Sequence, residues 1–179
     1  MSVRRLAAEQ PEDFAFSPEN LQWAKGQIAK FPEGRQASAV LALPTTSEAD
    51  AIRERYIADM LSMAYIRVYE IATFYTMFNL APVGKYYVQL CGTTPCWLRD
   101  AEALKSVCRR MIGAPGHVTE DGMFSWSEVE CLGACVNAPV VQINKDYYED
   151  LTPESFERVL NDLRDGKTVK RGPQAGRHS

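Results

Sequence analysis

Up to about residue 82, apolar residues recur at three- and four-residue intervals; after Gly84 the rhythm shortens to that of strands. Ser17-Pro18-Glu19 offers an N-cap, a proline suited to the first helical turn and an early carboxylate. A helix is therefore expected to about residue 30, where Phe31-Pro-Glu-Gly34 ends it. Thr46-Ser47-Glu48 is a second helix start, with Ile52, Tyr56, Met60 and Met63 recurring at helical spacing behind it. A third helical stretch is expected over 65–72. The run Thr73-Phe-Tyr-Thr-Met-Phe78 is too short to separate a helix end from a buried strand.

Beyond Gly84 the order becomes strand, loop, helix, strands, helix. Residues 85–90 are β-rich and deliver Cys91 at their end. Residues 100–110 place Ala101, Leu104, Val107, Cys108 and Met111 on one helical face. Glu120-Asp-Gly122 is a turn, 123–130 a strand and 140–143 another, turned at Asn144-Lys-Asp146 into Tyr147-Tyr148. Thr152-Pro153-Glu154 caps a last helix to about Arg164, closed by Gly166. Residues 167–179 are polar without apolar periodicity, which reads as a tail or docking arm. The layout implies an α+β chain: an N-terminal helical region over 1–82, a small thioredoxin-like ferredoxin domain over 83–166, and the tail.

Cysteines add the chemistry. Four of the five fall into Cys91-Gly-Thr-Thr-Pro-Cys96 and Cys131-Leu-Gly-Ala-Cys135, separated by 34 residues. Thiolates from two loops, two for each iron, are what a [2Fe–2S] cluster needs. Gly92, Thr93, Thr94, Gly133 and Ala134 are small enough for backbone N–H groups to approach sulfur. Both loops follow strands, which would bring Cys91, Cys96, Cys131 and Cys135 to one end of a sheet. A structural zinc site stays open as the lesser alternative, because its ligands pair mostly through two-residue spacers. No C-x-x-C tetrapeptide offers a dithiol redox site, and Cys108 reads as a buried apolar thiol. His117 and His178 stand in loop-like contexts and do not suggest a Rieske centre. Leu132 and Asn137-Ala138-Pro139 are candidate shields of the second loop, and Glu130 a candidate negative charge beside it.

The remaining composition narrows the function. A net charge of −3 and a pI near 5.5 disfavour nucleic acid as partner. No apolar run is long enough to span a membrane, and the first residues do not read as a signal peptide or presequence, so a reducing compartment, the cytosol, is expected. The absence of G-x-G-x-x-G and Walker A motifs argues against a nucleotide site, and no catalytic base or nucleophile stands out. An electron carrier with a protein partner is the expectation. The aromatic run 74–78 is a candidate docking surface, or simply the apolar join between the two halves.

Ile66-Arg-Val-Tyr-Glu-Ile-Ala-Thr-Phe-Tyr-Thr-Met-Phe78, the two cysteine motifs, and Glu130-Cys-Leu-Gly-Ala-Cys-Val-Asn-Ala-Pro139 closely resemble the 24 kDa, or E, subunits of respiratory complex I. Phe31-Pro-Glu-Gly-Arg35, Pro82-Val-Gly-Lys85 and Asn144-Lys-Asp-Tyr-Tyr-Glu-Asp-Leu151 extend the resemblance over nearly the whole chain. It implies an N-terminal helical bundle followed by a thioredoxin-like [2Fe–2S] domain, with Cys91, Cys96, Cys131 and Cys135 as ligands of one cluster. It also implies a non-catalytic electron-transfer role within NADH:quinone oxidoreductase, a translocase. The partners implied are the flavoprotein subunit, which holds FMN and NADH, and other peripheral-arm subunits. The location implied is the cytoplasmic side of a bacterial inner membrane, reached through the complex and not by a span of this chain. Equivalent subunits of NAD-linked hydrogenases or formate dehydrogenases, and a free ferredoxin shuttle, remain alternatives. One stretch departs from the family pattern. Where the family continues as a long apolar helix and a Gly-Trp-Leu turn, this chain has Leu41-Ala-Leu-Pro44-Thr-Thr-Ser-Glu-Ala-Asp50, several residues shorter.

Overall fold

The computed structural model describes residue 6 and residues 14–43 and 51–176, apart from the side chains of residues 51 and 52. The helix start at Thr46-Ser47-Glu48 and the departure at Pro44 lie outside the described residues. The chain divides into two compact units, 1–82 and 83–179.

In the first unit, α1 (Pro18–Ile28) begins as its cap chemistry requires: the Ser17 hydroxyl accepts the Asn20 N–H at 3.2 Å, and Pro18 sits where no N–H is needed. A 3₁₀ segment follows over Gln36–Leu41, then α2 (Ala51–Met60) and α3 (Tyr65–Phe74). Ala24, Ala39, Val40, Leu43, Ile57, Ala58, Leu61 and Val68 form its core, with Phe16, Phe31, Met60 and Met63 packed around it. The ambiguous run from Thr73 resolves into a helix end: the Thr73 hydroxyl donates back to the Tyr69 carbonyl at 2.9 Å, and Tyr75 turns extended.

The second unit is a five-stranded sheet of order β2-β1-β3-β4-β5. Its strands are β1 (Tyr86–Cys91), β2 (Phe124–Val129), β3 (Val141–Ile143), β4 (Asp146–Glu149) and β5 (Gly172–Pro173). β1 runs parallel to β2 and antiparallel to β3, and β3 and β4 form the hairpin expected at Asn144, whose φ of 56° makes the turn. Two longer helices, α5 (Ala101–Met111) and α6 (Pro153–Arg164), pack on each other, and α5 also lies against β1. Trp126, Phe124, Phe156, Leu90, Leu104 and Leu160 fill the core, each at most 1% exposed. The segment after Gly166, expected as a tail, instead closes the sheet edge: Gly172 and Pro173 pair with Tyr148 and Glu149, and the Gln174 N–H donates to the Glu149 carbonyl. Backbone pairing needs no apolar period, which is why the polar composition concealed it. Among the described residues no helix is long and apolar enough to cross a membrane.

Candidate metal centre

The parallel register of β1 and β2 decides where the cysteines go. Cys91, the last residue of β1, lies opposite Val129, the last of β2, so the chain leaves both strands at one end of the sheet. Two residues beyond Val129 stands Cys131. The Gly92 N–H donates to the Val129 carbonyl at 3.1 Å and ties the two exits together. The first loop then coils into a short helix absent from the sequence-based expectation, α4 (Thr94–Leu98), with Pro95 in its first turn and Cys96 on its buried side. The second loop turns at Gly133, whose φ of 81° suits glycine, and reaches Cys135 at the start of a 3₁₀ turn, Cys135–Asn137.

Cys91 and Cys96 are buried, at 2% and 1% exposure, whereas Cys131 and Cys135 are exposed. The thiols meet in pairs. Cys131 and Cys135 have sulfurs 3.5 Å apart, and Cys91 hydrogen-bonds Cys96. Thr93 joins the pairs: its hydroxyl lies 3.2 Å from the Cys91 sulfur and also hydrogen-bonds Cys131. Backbone donors complete the surroundings, with Gly133 N–H at 3.4 Å from the Cys131 sulfur, Leu132 and Thr93 N–H on Cys91, and Val140 N–H on Cys96.

Proton affinities follow this arrangement. Burial alone would raise the Cys91 thiol, but the Thr93 hydroxyl and the Thr93 and Leu132 N–H groups outweigh it and leave it below its ordinary value. Burial, then the neighbouring Cys91, push Cys96 up to about 12. The Gly133 N–H lowers Cys131, and Cys131 beside it raises Cys135. Each pair thus shares a proton, one sulfur donating and the other accepting. Negative charge on Cys91 also bears on Cys131 and Cys135 across the loops, and Cys135 on Cys96. Four thiolates so placed repel one another and call for a multiply positive centre.

No three Cys, His, Asp or Glu side chains among the described residues are grouped to hold a single metal ion. Thiols that meet two by two suit a centre with two metals, and the ring of N–H donors suits sulfur ligands that keep negative charge. The donor set therefore fits a [2Fe–2S] cluster.

Other expected participants fall elsewhere. Cys108 is fully buried in α5, and its thiol is pushed up to about 12 by burial. His117 lies at the turn beyond α5, beside Gly113, and His178 is outside the described residues. Leu132 is partly buried against the core, while Val136, at 85% exposure, stands open beside Cys135. Glu130 is exposed. Tyr147 escaped the sequence reading as a site residue: its hydroxyl donates to the Leu132 carbonyl at 2.8 Å and holds the second loop from β4. Asn137 is held likewise, its side-chain amide donating to the Glu149 carboxylate at 2.7 Å. The alternation of β4 was readable; the loop it faces was not.

A match to the thioredoxin-like [2Fe-2S] ferredoxin family spans residues 25–164. The first of two NADH-quinone oxidoreductase relatives, an E subunit (number 1) of Rhizobium meliloti (strain 1021), is 53% identical over 188 aligned positions, covering 99% of this chain and 68% of the relative. That alignment is longer than the 179-residue chain, so the relative carries residues that this chain lacks. The NADH-quinone oxidoreductase E subunit of Rickettsia bellii (strain RML369-C) is 50% identical over 161 positions, covering 85% of this chain and 95% of the relative. Among solved structures, an NAD+-reducing [NiFe]-hydrogenase in its H2-reduced state shares the fold with a TM-score of 0.62 at 18% identity. That match takes in 81% of this chain and 23% of the hydrogenase chain. With the family match over most of the chain and E-subunit relatives at half identity or more, the chain belongs to the thioredoxin-like [2Fe-2S] ferredoxin family and, within it, to the E subunits of NADH-quinone oxidoreductase.

Proposed function

We propose that Cys91, Cys96, Cys131 and Cys135 hold one [2Fe–2S] cluster, and that the chain serves as an electron-transfer subunit of NADH-quinone oxidoreductase. The observation that carries this reading is the meeting of two thiol pairs from parallel strand ends, with Thr93 touching both. E-subunit relatives at 53% and 50% identity support the parent complex. The cluster, when bound, supplies one-electron oxidation and reduction.

The chain's own residues supply the setting. Burial of Cys91 and Cys96 shields one thiol pair from water, and the exposed Cys131 and Cys135 leave the other near the surface. The N–H groups of Thr93, Leu132, Gly133 and Val140 stabilise charge on sulfur without moving. Electrons are exchanged with the FMN of the partner NADH-binding subunit, on which NADH oxidation takes place; this chain has no catalytic residue. Trp97, Leu98 and Val136, all exposed around Cys135, give the short apolar approach that electron exchange with a docked protein needs. Residues 1–82 form the helical bundle that docks on the flavoprotein, residues 83–166 the cluster domain. The assembly sits in the cytoplasm against the inner membrane, through other subunits of the peripheral arm.

The test is iron, acid-labile sulfide and zinc analysis of protein purified without oxygen, with EPR after dithionite reduction. About two irons and two sulfides per chain, lost on replacing any of the four cysteines by serine, are expected. Stoichiometric zinc without iron, persisting through attempted reconstitution, would overturn the assignment. Co-purification of the full chain with an FMN-containing protein tests the partner.

A further inference from the structure

Lys105 is 6% exposed, a rare position for a lysine, and its ammonium is held by two carboxylates on different elements. On its own helix, α5, Glu102 lies at 2.6 Å; across on β2, Glu128 lies at 2.7 Å. Glu128 also bears on the first cysteine loop. A Cβ built on Gly92 would lie 1.9 Å from the Glu128 carboxylate oxygen and 2.6 Å from its carboxylate carbon. Glu128 therefore rests on the backbone of the residue that follows Cys91, in the space any side chain at position 92 would take. The Gly92 backbone is outside the left-handed region, so glycine is needed there for room and not for its torsions. A flexible carboxylate could ordinarily swing aside; this one is held in place by a buried ammonium.

We propose that Lys105 and Glu128 are positioning residues for the first cysteine loop, and that the charge of this pair sets the reduction potential of the cluster. The proposal rests on the assignment of the four cysteines as cluster ligands. Two consequences follow from elementary electrostatics. Reduction adds negative charge at the cysteine loops, so a nearby positive charge favours it and a nearby negative charge opposes it. Lys105 and Glu128 thus act with opposite sign, and Glu128, seated on Gly92, acts more strongly than Glu102, which reaches Lys105 from the exposed side of α5. A purely structural role predicts something different: removing either partner would loosen the same loop and shift the potential in the same direction.

The experiment is a spectroelectrochemical redox titration of the cluster-loaded full chain, after iron and sulfide analysis of the wild type. Glu128→Gln, on a half-exposed side chain, is expected to raise the ratio of reduced to oxidised cluster at a fixed ambient potential, by roughly threefold for one nearby charge in a partly solvated setting. Glu102→Gln is expected to raise it less. Lys105→Met is expected to lower it, Lys105→Arg to restore most of the loss, and the Lys105→Met/Glu128→Gln double variant to return toward the wild type. Should Lys105→Met fail to fold, the order Glu128→Gln above Glu102→Gln still decides. A cluster of normal iron content whose potential falls or stays unchanged in Glu128→Gln, or moves as far in Glu102→Gln, overturns this proposal and leaves the ligand assignment standing. A wild type without iron and sulfide overturns both.

Discussion

Cys108 is fully buried in α5, and burial pushes its thiol from the ordinary 9.0 up to about 12. Above about pH 9 an unfolded chain releases this proton while the folded chain keeps it. The folded state then binds more protons, so its stability falls as pH rises from there toward 12. Urea midpoints measured from pH 8 to 10.5 should fall less steeply in Cys108→Ala than in the wild type, the other thiols cancelling in the comparison. Equal slopes would show that Cys108 ionises in place. The same contrast orders reactivity: in protein without its cluster, Cys131, exposed and with its thiol lowered by the Gly133 N–H, should be alkylated first and Cys108 last. Mass spectrometry after timed iodoacetamide treatment reads that order directly. Tyr147 makes a further case. Its hydroxyl fixes the Leu132 carbonyl, and Leu132 in turn points its N–H at the Cys91 sulfur. Tyr147→Phe removes one hydrogen bond, about 1 kcal/mol, and should speed iron release to a chelator roughly fivefold.

Among the elements, α6 and β1 show how local chemistry fixes structure. α6 opens with a reciprocal cap: the Ser155 N–H donates to the Thr152 hydroxyl at 3.2 Å, and the Thr152 N–H to the Ser155 hydroxyl at 2.8 Å. Thr152→Ala should cost about 1 kcal/mol, visible as a lower urea midpoint. Gly84 is a sterner constraint. A Cβ there would lie 2.4 Å from the Phe124 carbonyl carbon and 2.7 Å from the Ser125 nitrogen, both backbone atoms with nowhere to go. Gly84→Ala must separate the approach to β1 from β2 and should cost about 1–3 kcal/mol or more by the same measurement. Much of this was legible beforehand. Ser17-Pro18, Thr152-Pro153 and Gly166 mark helix ends through chemistry that acts over three or four residues, and the strands around Cys91 and Asn144 declare themselves by composition. α4 was not legible, because five residues cannot display a helical period and its small residues read equally well as loop. β5 escaped for the opposite reason: Gly172 and Pro173 contribute backbone pairing alone. At the candidate site, spacing singled out the four cysteines, but Thr93 bridging the pairs, Tyr147 reaching the second loop and Lys105 gripping Glu128 all depend on strand register. A sequence read singly does not contain that register.

All four candidate ligands lie in the unit of residues 83–179, two in the loop after β1 and two in the loop after β2. A ligand that binds only the folded form stabilises it by mass action, and a centre bridging loops 34 residues apart also restrains the chain between them. In protein without a cluster, the four thiols share protons in two pairs, and burial keeps Cys96 protonated. The loops are then held by Thr93, Tyr147 and a few N–H···S contacts, each worth little. Loss of the cluster should accordingly loosen one unit and not the other. Hydrogen exchange followed by mass spectrometry, on loaded protein and on protein stripped anaerobically with a chelator, should show protection falling over residues 91–98 and 131–138. Peptides from α1 and α3, whose core of Ala24, Ile57, Leu61 and Val68 is separate, should exchange at unchanged rates. A fall in protection of α1 as large as that at 131–138 would mean that the two units unfold together. The cluster would then stabilise the chain as one cooperative body, and the docking helices would depend on iron for their own folding.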